Sequence, residues 1–197
     1  MELTLEEGVR LVGIAREALD LYLRTGQVKR PDVSGRLMEP RGVFCTLKSY
    51  PGEELRGCTG LPYAEKPLSE ATVAATLSSA NDPRFPPLQL GELPSVTIEV
   101  SVLTNPEEVQ VRRREDYAST VEPGKDGLIL RYGLHTGLFL PQVWETIPDP
   151  EEFLGALCHK AGLADREAWK DEGATLYRFR AQVFCERQPG GEVEEET

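Results

Sequence analysis

The chain has 197 residues, of which 40% are hydrophobic, and a formal net charge of -11. This length and composition suit a single globular domain with a real core, and the N-terminus and the short apolar runs predict neither a signal peptide nor a membrane span. We therefore expect a cytoplasmic protein with no membrane partner, and the negative charge makes nucleic acid an unfavourable partner.

The cysteines and histidines do not form a metal-binding pattern. Cysteines stand at positions 45, 58, 158 and 185, with no C-x-x-C pair and no grouping with His135 or His159. We expect no metal and no cofactor, and reduced thiols rather than a disulfide framework.

The first half of the chain predicts a helix followed by a hairpin. Thr4 to Glu7 has the form of a capping box, and helical spacing of apolar residues predicts a helix over residues 5–24. Residues 42–48 and 55–59 are then predicted to form two strands around a Pro51-Gly52 turn. A turn centred there places Cys45 opposite Cys58, with Arg56 and Cys58 on one face.

A second helix, a proline-rich loop and a strong strand come next. The helix begins at Pro67 and ends near Ala80, and the loop that follows holds three prolines within residues 81–87. The loop either terminates the helix or presents Asp82, Arg84 and Phe85 in fixed positions. Residues 96–103 alternate cleanly, and the polar face that contains Glu99 is either solvated or the floor of a cleft.

The remaining segments complete an α+β pattern without βαβ alternation. They are a hairpin over 128–141, a helix over 149–160 and a strand over 176–184. We expect mainly antiparallel sheet with flanking helices, in one domain over residues 1–187. Residues 188–197 are glycine-containing and acidic, which predicts a disordered tail.

The hexapeptide Leu55-Arg56-Gly57-Cys58-Thr59-Gly60 is the least ordinary run in the sequence. Glycines on both sides of a cysteine favour close approach of another backbone or a ligand. The alternative is a strand end with a buried, unreactive cysteine, which is the commoner structural type.

This hexapeptide resembles the LRGCIG signature of the AMMECR-one domain family, named for the Alport syndrome, midface hypoplasia and elliptocytosis chromosomal region. Further blocks resemble the family in order over about residues 5–186, among them DPRFPP at 82–87, IEVSVL at 98–103, GKDGLI at 124–129 and LPQV at 140–143. The resemblance implies a two-lobed α+β domain with the signature at a cleft between lobes. It also implies Memo-like and radical S-adenosylmethionine proteins as partners, because relatives are fused to or encoded beside them.

Two hypotheses of function follow, and the sequence departs from the family pattern at Thr59 and Cys45. As a cysteine-centred enzyme, the chain would use Cys58 as nucleophile, Arg56 to favour the thiolate and Glu99 as acid or base. As an interaction module, it would present the hexapeptide surface to a partner protein. The residues expected to bind a small-molecule or protein substrate, or a partner, are Gly57, Thr59, Gly60, Asp82, Arg84, Phe85 and Gln142. RNA binding is a third, less favoured hypothesis.

Overall fold

The computed structural model describes residues 2–196, which fold into two units. The first unit consists of Met1–Thr104 and Gln182–Thr197, and the second of Asn105–Ala181. Each unit has its own antiparallel sheet and its own apolar core, which confirms the α+β class.

The first unit is built on a five-stranded sheet in the order β2-β1-β3-β8-β9. Its strands and helices have these bounds: α1 Leu5–Thr25, β1 Val43–Ser49, β2 Leu55–Leu61, α2 Leu68–Ala80, β3 Val96–Leu103, β8 Ala181–Glu186 and β9 Val193–Glu196. The predicted capping box starts α1, since Thr4 Oγ1 accepts the Glu7 amide at 3.3 Å and Glu7 Oε2 accepts the Thr4 amide at 2.8 Å. One face of the sheet is apolar and packs with both helices in a single core.

The second unit is built on a four-stranded sheet in the order β4-β7-β5-β6. The elements are β4 Glu107–Glu108, α3 Tyr117–Thr120, β5 Gly127–Tyr132, β6 His135–Phe139, α4 Pro150–Lys160 and β7 Ala174–Phe179. Trp144 stacks on Phe153 of α4 with ring centroids 3.7 Å apart, which anchors the helix to the unit's core.

Two segments differ from the sequence expectation. The run predicted as one strand over 176–184 is two strands, β7 in the second sheet and β8 in the first, and no glycine or proline marks the break near Arg180. The tail predicted to be disordered contains β9, which pairs antiparallel with β8 from Val193↔Glu186 to Glu196↔Val183. Pairing with a preceding strand supplies the order that the composition alone does not predict.

Candidate functional site

The side chains nearest the Cys58 thiol form a row across three strands. Thr46 on β1 lies directly opposite Cys58 on β2, and also opposite Glu99 on β3. Directly opposed residues share one face of a sheet, so the three side chains lie side by side. We call Cys58, Thr46 and Glu99 the polar row. Within it, the Thr46 hydroxyl donates to the Cys58 sulfur at 3.5 Å.

The polar row includes a buried carboxylate that holds a cation. Glu99 is 7% exposed, and its Oε2 accepts a hydrogen bond from Lys48 Nζ at 2.6 Å. Burial opposes the charge on Lys48, but the hydrogen bond and ion pair with Glu99 outweigh it and raise the pKa of the lysine. Two strand spacings, roughly 9.5 Å, separate the main chains of Glu99 and Cys58, and Thr46 lies between them on β1.

The predicted pairing of Cys45 with Cys58 is wrong by one residue. Cys45 lies opposite Thr59, because the register shifts between Leu47 and Lys48, where β2 carries an extra residue. A one-residue shift moves a side chain to the other face of a sheet. Cys45 faces the core with its β1 neighbours Val43 and Leu47 and is fully buried, and burial raises its pKa to about 12.

Asp82 and Arg84 hold the main chain of Cys58 from the open side of the edge strand. Asp82 Oδ2 accepts the Cys58 amide hydrogen at 2.9 Å, and Arg84 Nη2 donates to the Cys58 carbonyl at 3.1 Å. Arg84 Nε also donates to Asp82 Oδ1 at 3.0 Å. We call this arrangement the clamp. Its hydrogen bonds hold the main chain of Cys58, whose side chain is half-buried.

The clamp also sets the charge beside the thiol. Asp82 is 3% exposed, and hydrogen bonds from Arg84 and from two main-chain amides hold the pKa of its carboxyl well below the usual range despite burial. The hydrogen bond to Asp82 raises the pKa of Arg84, and the negative charge of a Cys58 thiolate adds to that effect. Arg84 is thus the cation that is hydrogen-bonded to the main chain of Cys58.

Arg56, the cation that the sequence placed beside Cys58, is engaged elsewhere. Its Nε and Nη2 donate to the two carboxylate oxygens of Glu92, at 2.9 and 3.1 Å. This bidentate pair, first among the causes, lowers the pKa of Glu92. Arg56 stands at the bulge of β2, so the two-residue spacing to Cys58 does not give the simple shared face that an unbroken strand would give.

The space beside the two glycines of the hexapeptide is occupied by other residues of the same chain. A Cβ on Gly57 would lie 2.2 Å from the carbonyl oxygen of Ser79 in α2, and one on Gly60 would lie 2.4 Å from the Phe44 ring. Thr59 also turns to α2, where its hydroxyl donates to the Ala75 carbonyl at 3.2 Å. The close approach that the glycines predict is therefore made by this chain's own helix and ring.

Phe85 and Gln142 are the other two predicted binding residues. Phe85 is half-buried, with the Arg84 guanidinium carbon 5.7 Å from its ring centroid. Gln142 is exposed in the short 3-10 turn Pro141–Glu145 of the second unit.

The remaining thiols are held in the neutral form. Burial raises the pKa of Cys158, and burial together with Glu196 raises that of Cys185 to about 12. Across residues 2–196, no three His, Cys, Asp or Glu side chains are placed to hold a metal ion. In the same span no helix has the length and apolar character required to cross a bilayer.

Sequence reasoning missed Thr46, Lys48 and the partner of Arg56. Thr46 and Lys48 alternate with the apolar residues of β1, so the polar side of that strand was visible in the pattern. Their significance depends on which strand lies next to β1, and this is a long-range property. Glu92 lies 36 positions from Arg56, and no local signal connects them.

The fold and the site define a class of protein: an α+β chain with two antiparallel sheets, whose first sheet carries a clamped cysteine on its edge strand. The AMMECR1 family model matches residues 12–184. Protein MJ0810 of Methanocaldococcus jannaschii is 46% identical over 197 residues, covering 97% of this chain and 96% of the relative. Protein PF1979 of Pyrococcus furiosus is 44% identical, covering 95% of this chain and 92% of the relative.

The same similarity extends to a solved structure. The crystal structure of protein PH0010 from Pyrococcus horikoshii superposes with a TM-score of 0.88 at 43% sequence identity, covering 97% of each chain. The chain belongs to the AMMECR1 family, which confirms the resemblance carried by the hexapeptide and its companion blocks.

Proposed function

We propose that this protein is a cysteine-centred enzyme, or the thiol-bearing component of one, with Cys58 as the nucleophile. The observation that carries the proposal is the clamp. Asp82 and Arg84 bond both outward main-chain groups of Cys58, and its half-buried side chain lies beside the Thr46 hydroxyl. Such an environment is the kind in which reactive cysteines occur, whereas buried cysteines in apolar cores are inert.

The neighbours of Cys58 take distinct roles in this proposal. Arg84 stabilises the thiolate, and Thr46 hydrogen-bonds the sulfur and lies opposite Glu99 of the next strand. In the covalent step, the sulfur bonds to an electrophilic carbon of the substrate and the displaced electron pair leaves with the departing group. The thiol proton passes through the Thr46 hydroxyl to the Glu99 carboxylate. Arg56 supports the strand through Glu92 and takes no part in the reaction.

The substrate in this proposal is a small molecule or a protein, and the reaction takes place in the cytoplasm. The partners are the Memo-like and radical S-adenosylmethionine proteins that the resemblance implies. Affinity capture of the tagged chain from a host that encodes such proteins tests the proposed partners. Recovery of neither class, with a tag that leaves the fold intact, would contradict it.

Site-resolved alkylation tests the nucleophile. The native protein is treated with iodoacetamide at pH 7.5, and each thiol is followed by mass spectrometry over time. Cys45 and Cys185, with pKa values of about 12, should react about a hundredfold more slowly than an ordinary thiol with a pKa of about 8.5. Cys58 should therefore be modified first.

Two arginine variants separate the clamp from the rest of the strand. Arg84→Ala should slow the alkylation of Cys58 several-fold, because it removes the nearby cation and the bond to the Cys58 carbonyl. Arg56→Ala, the matched control, should leave the rate within about twofold, since Arg56 pairs with Glu92. If Cys58 stays unlabelled, or if both variants behave alike, the nucleophile role fails and the interaction-module hypothesis replaces it.

A further inference from the structure

A groove of about 430 Å³ lies along α2 within the first unit. On the helix side it is lined by Glu70, Val73, Ala74 and Leu77, which follow the i, i+3, i+4, i+7 spacing of a single helix face. The extended segment that follows α1 lines the other side, including Val28, which is 60% exposed. The groove thus has an apolar lining that is open to solvent.

The charged residues of this groove are mostly positive, although the whole protein is acidic. Its lining includes Lys29, Arg30 and Lys66, against the single carboxylate of Glu70. Arg30 pairs with Glu70 at 2.6 Å. Lys29 and Lys66 form no ion pair with any residue in 2–196. A chain of net charge -11 therefore has two lysines without an ion pair beside this groove.

We propose that this groove binds a small amphipathic anion, a molecule with an apolar chain or ring and one carboxylate. The apolar part would lie against Val28, which is exposed, and Leu77, which is half-buried, and would remove their apolar surface from water. The carboxylate would lie between Lys29 and Lys66, whose flexible ammonium groups can reach it without displacing Arg30 from Glu70. A volume of about 430 Å³ falls in the range of small-molecule sites.

This site is independent of the proposed enzyme function. The face of α2 that contacts the hexapeptide uses Ala75 and Ser79, whereas the groove uses Val73, Ala74 and Leu77. The polar row and the groove therefore use different faces of the same helix. Alkylation of Cys58 tests the proposed enzyme function, and ligand titration tests binding in the groove.

The experiment titrates the full chain with decanoate, below its micelle-forming concentration, and measures binding by calorimetry. Decanol and decyltrimethylammonium serve as neutral and cationic probes with the same chain length. We expect saturable binding of decanoate at one site, at least tenfold weaker binding of decanol, and no saturable binding of decyltrimethylammonium. Equal binding of the three probes, or no saturation with decanoate, would overturn the proposal.

Variants then locate the site. Lys66→Glu should weaken decanoate binding at least tenfold, whereas Lys160→Glu, the same charge change in the second unit, should leave binding unchanged. Ala74→Trp should fill the groove and abolish binding while the circular dichroism spectrum stays native. If Ala74→Trp does not fold, the comparison of the two lysine variants decides. Equal effects of Lys66→Glu and Lys160→Glu would place any binding elsewhere and refute the site.

Discussion

Thr46 of β1 lies directly opposite Cys58 of β2, whereas the hairpin turn predicted Cys45 at that place. Near the turn the predicted register holds, with Lys48 opposite Leu55, and it then shifts by one residue because Arg56 is extra on β2. The alternation of β1 places Cys45 in the core with Val43 and Leu47, and the shift on β2 puts Cys58 opposite Thr46 instead of Cys45. The bulge therefore decides that the β1 neighbour of Cys58 is a hydroxyl rather than a second thiol.

Gly57→Ala should be strongly destabilising, because the added Cβ would lie 2.2 Å from the Ser79 carbonyl oxygen. Relieving this contact requires movement of α2 or β2, and we expect a loss of about 3 kcal/mol in the free energy of unfolding. Urea denaturation measures it. Gly91→Ala is the control, because a Cβ there has no heavy atom within 4 Å, and its effect should stay within about 0.5 kcal/mol. Equal effects of the two substitutions would contradict the packing role of Gly57.

Much of the fold was predictable because its signals are local. The capping box of α1, the proline start of α2 and the alternation of β3 each depend on residues close in sequence. The polar face of β3 shows the limit of this approach. Alternation identifies Glu99 as facing away from the core, but it does not show that the carboxylate is 7% exposed and paired with Lys48.

The candidate site was predictable in its residues and less so in their partners. Cys58, Asp82 and Arg84 were all identified, and the structure brings them into one hydrogen-bonded group. Arg56 was predicted to lie beside the thiol because residues two positions apart on a regular strand point to the same face of the sheet. That rule fails at a bulge, and bulges depend on how the strand fits its neighbours rather than on the local sequence.

Removal of residues 188–197 should destabilise the protein, contrary to the expectation from composition. β9 pairs with β8 over four residues, and Val193 packs against the core of the first unit. We expect the melting temperature to fall by about 5 °C or more, equivalent to roughly 2 kcal/mol for a chain of this size. Val193→Ser in the full-length chain should reproduce part of the decrease. A change below about 1 °C in both proteins would show that β9 adds no stability.

Arg16→Ala should cost about 3–5 kcal/mol, because it leaves Glu186 buried without its cation. Arg16 Nε donates to Glu186 Oε1 at 2.9 Å, and Arg16 Nη2 donates to the Val96 carbonyl at 2.7 Å. The Glu186 side chain is 3% exposed. Arg10→Ala, on the same helix, removes a surface pair with Glu17 and should cost at most about 1 kcal/mol. Similar losses in urea denaturation would show that burial of the pair is unimportant.

Asp82→Asn should weaken the clamp and remove an acid-dependent part of the stability. At pH 7 the wild-type carboxylate accepts the Cys58 amide and two charge-assisted bonds from Arg84, and the neutral amide replaces them poorly. We expect a loss of about 2–3 kcal/mol in the free energy of unfolding at that pH.

The pH dependence of this loss follows from the depressed pKa of Asp82. The folded-state pKa lies below the unfolded value of about 3.9, so the carboxylate contributes its full stability above about pH 5. That contribution is lost as pH falls through the unfolded pKa towards the lower folded one. The difference between wild type and Asp82→Asn should therefore narrow between pH 6 and pH 3, as measured by urea denaturation at each pH. Asp20→Asn, which removes an exposed pair with Arg24, should show little difference at any pH. A constant gap between wild type and Asp82→Asn across this range would mean that the carboxylate charge does not hold the clamp together.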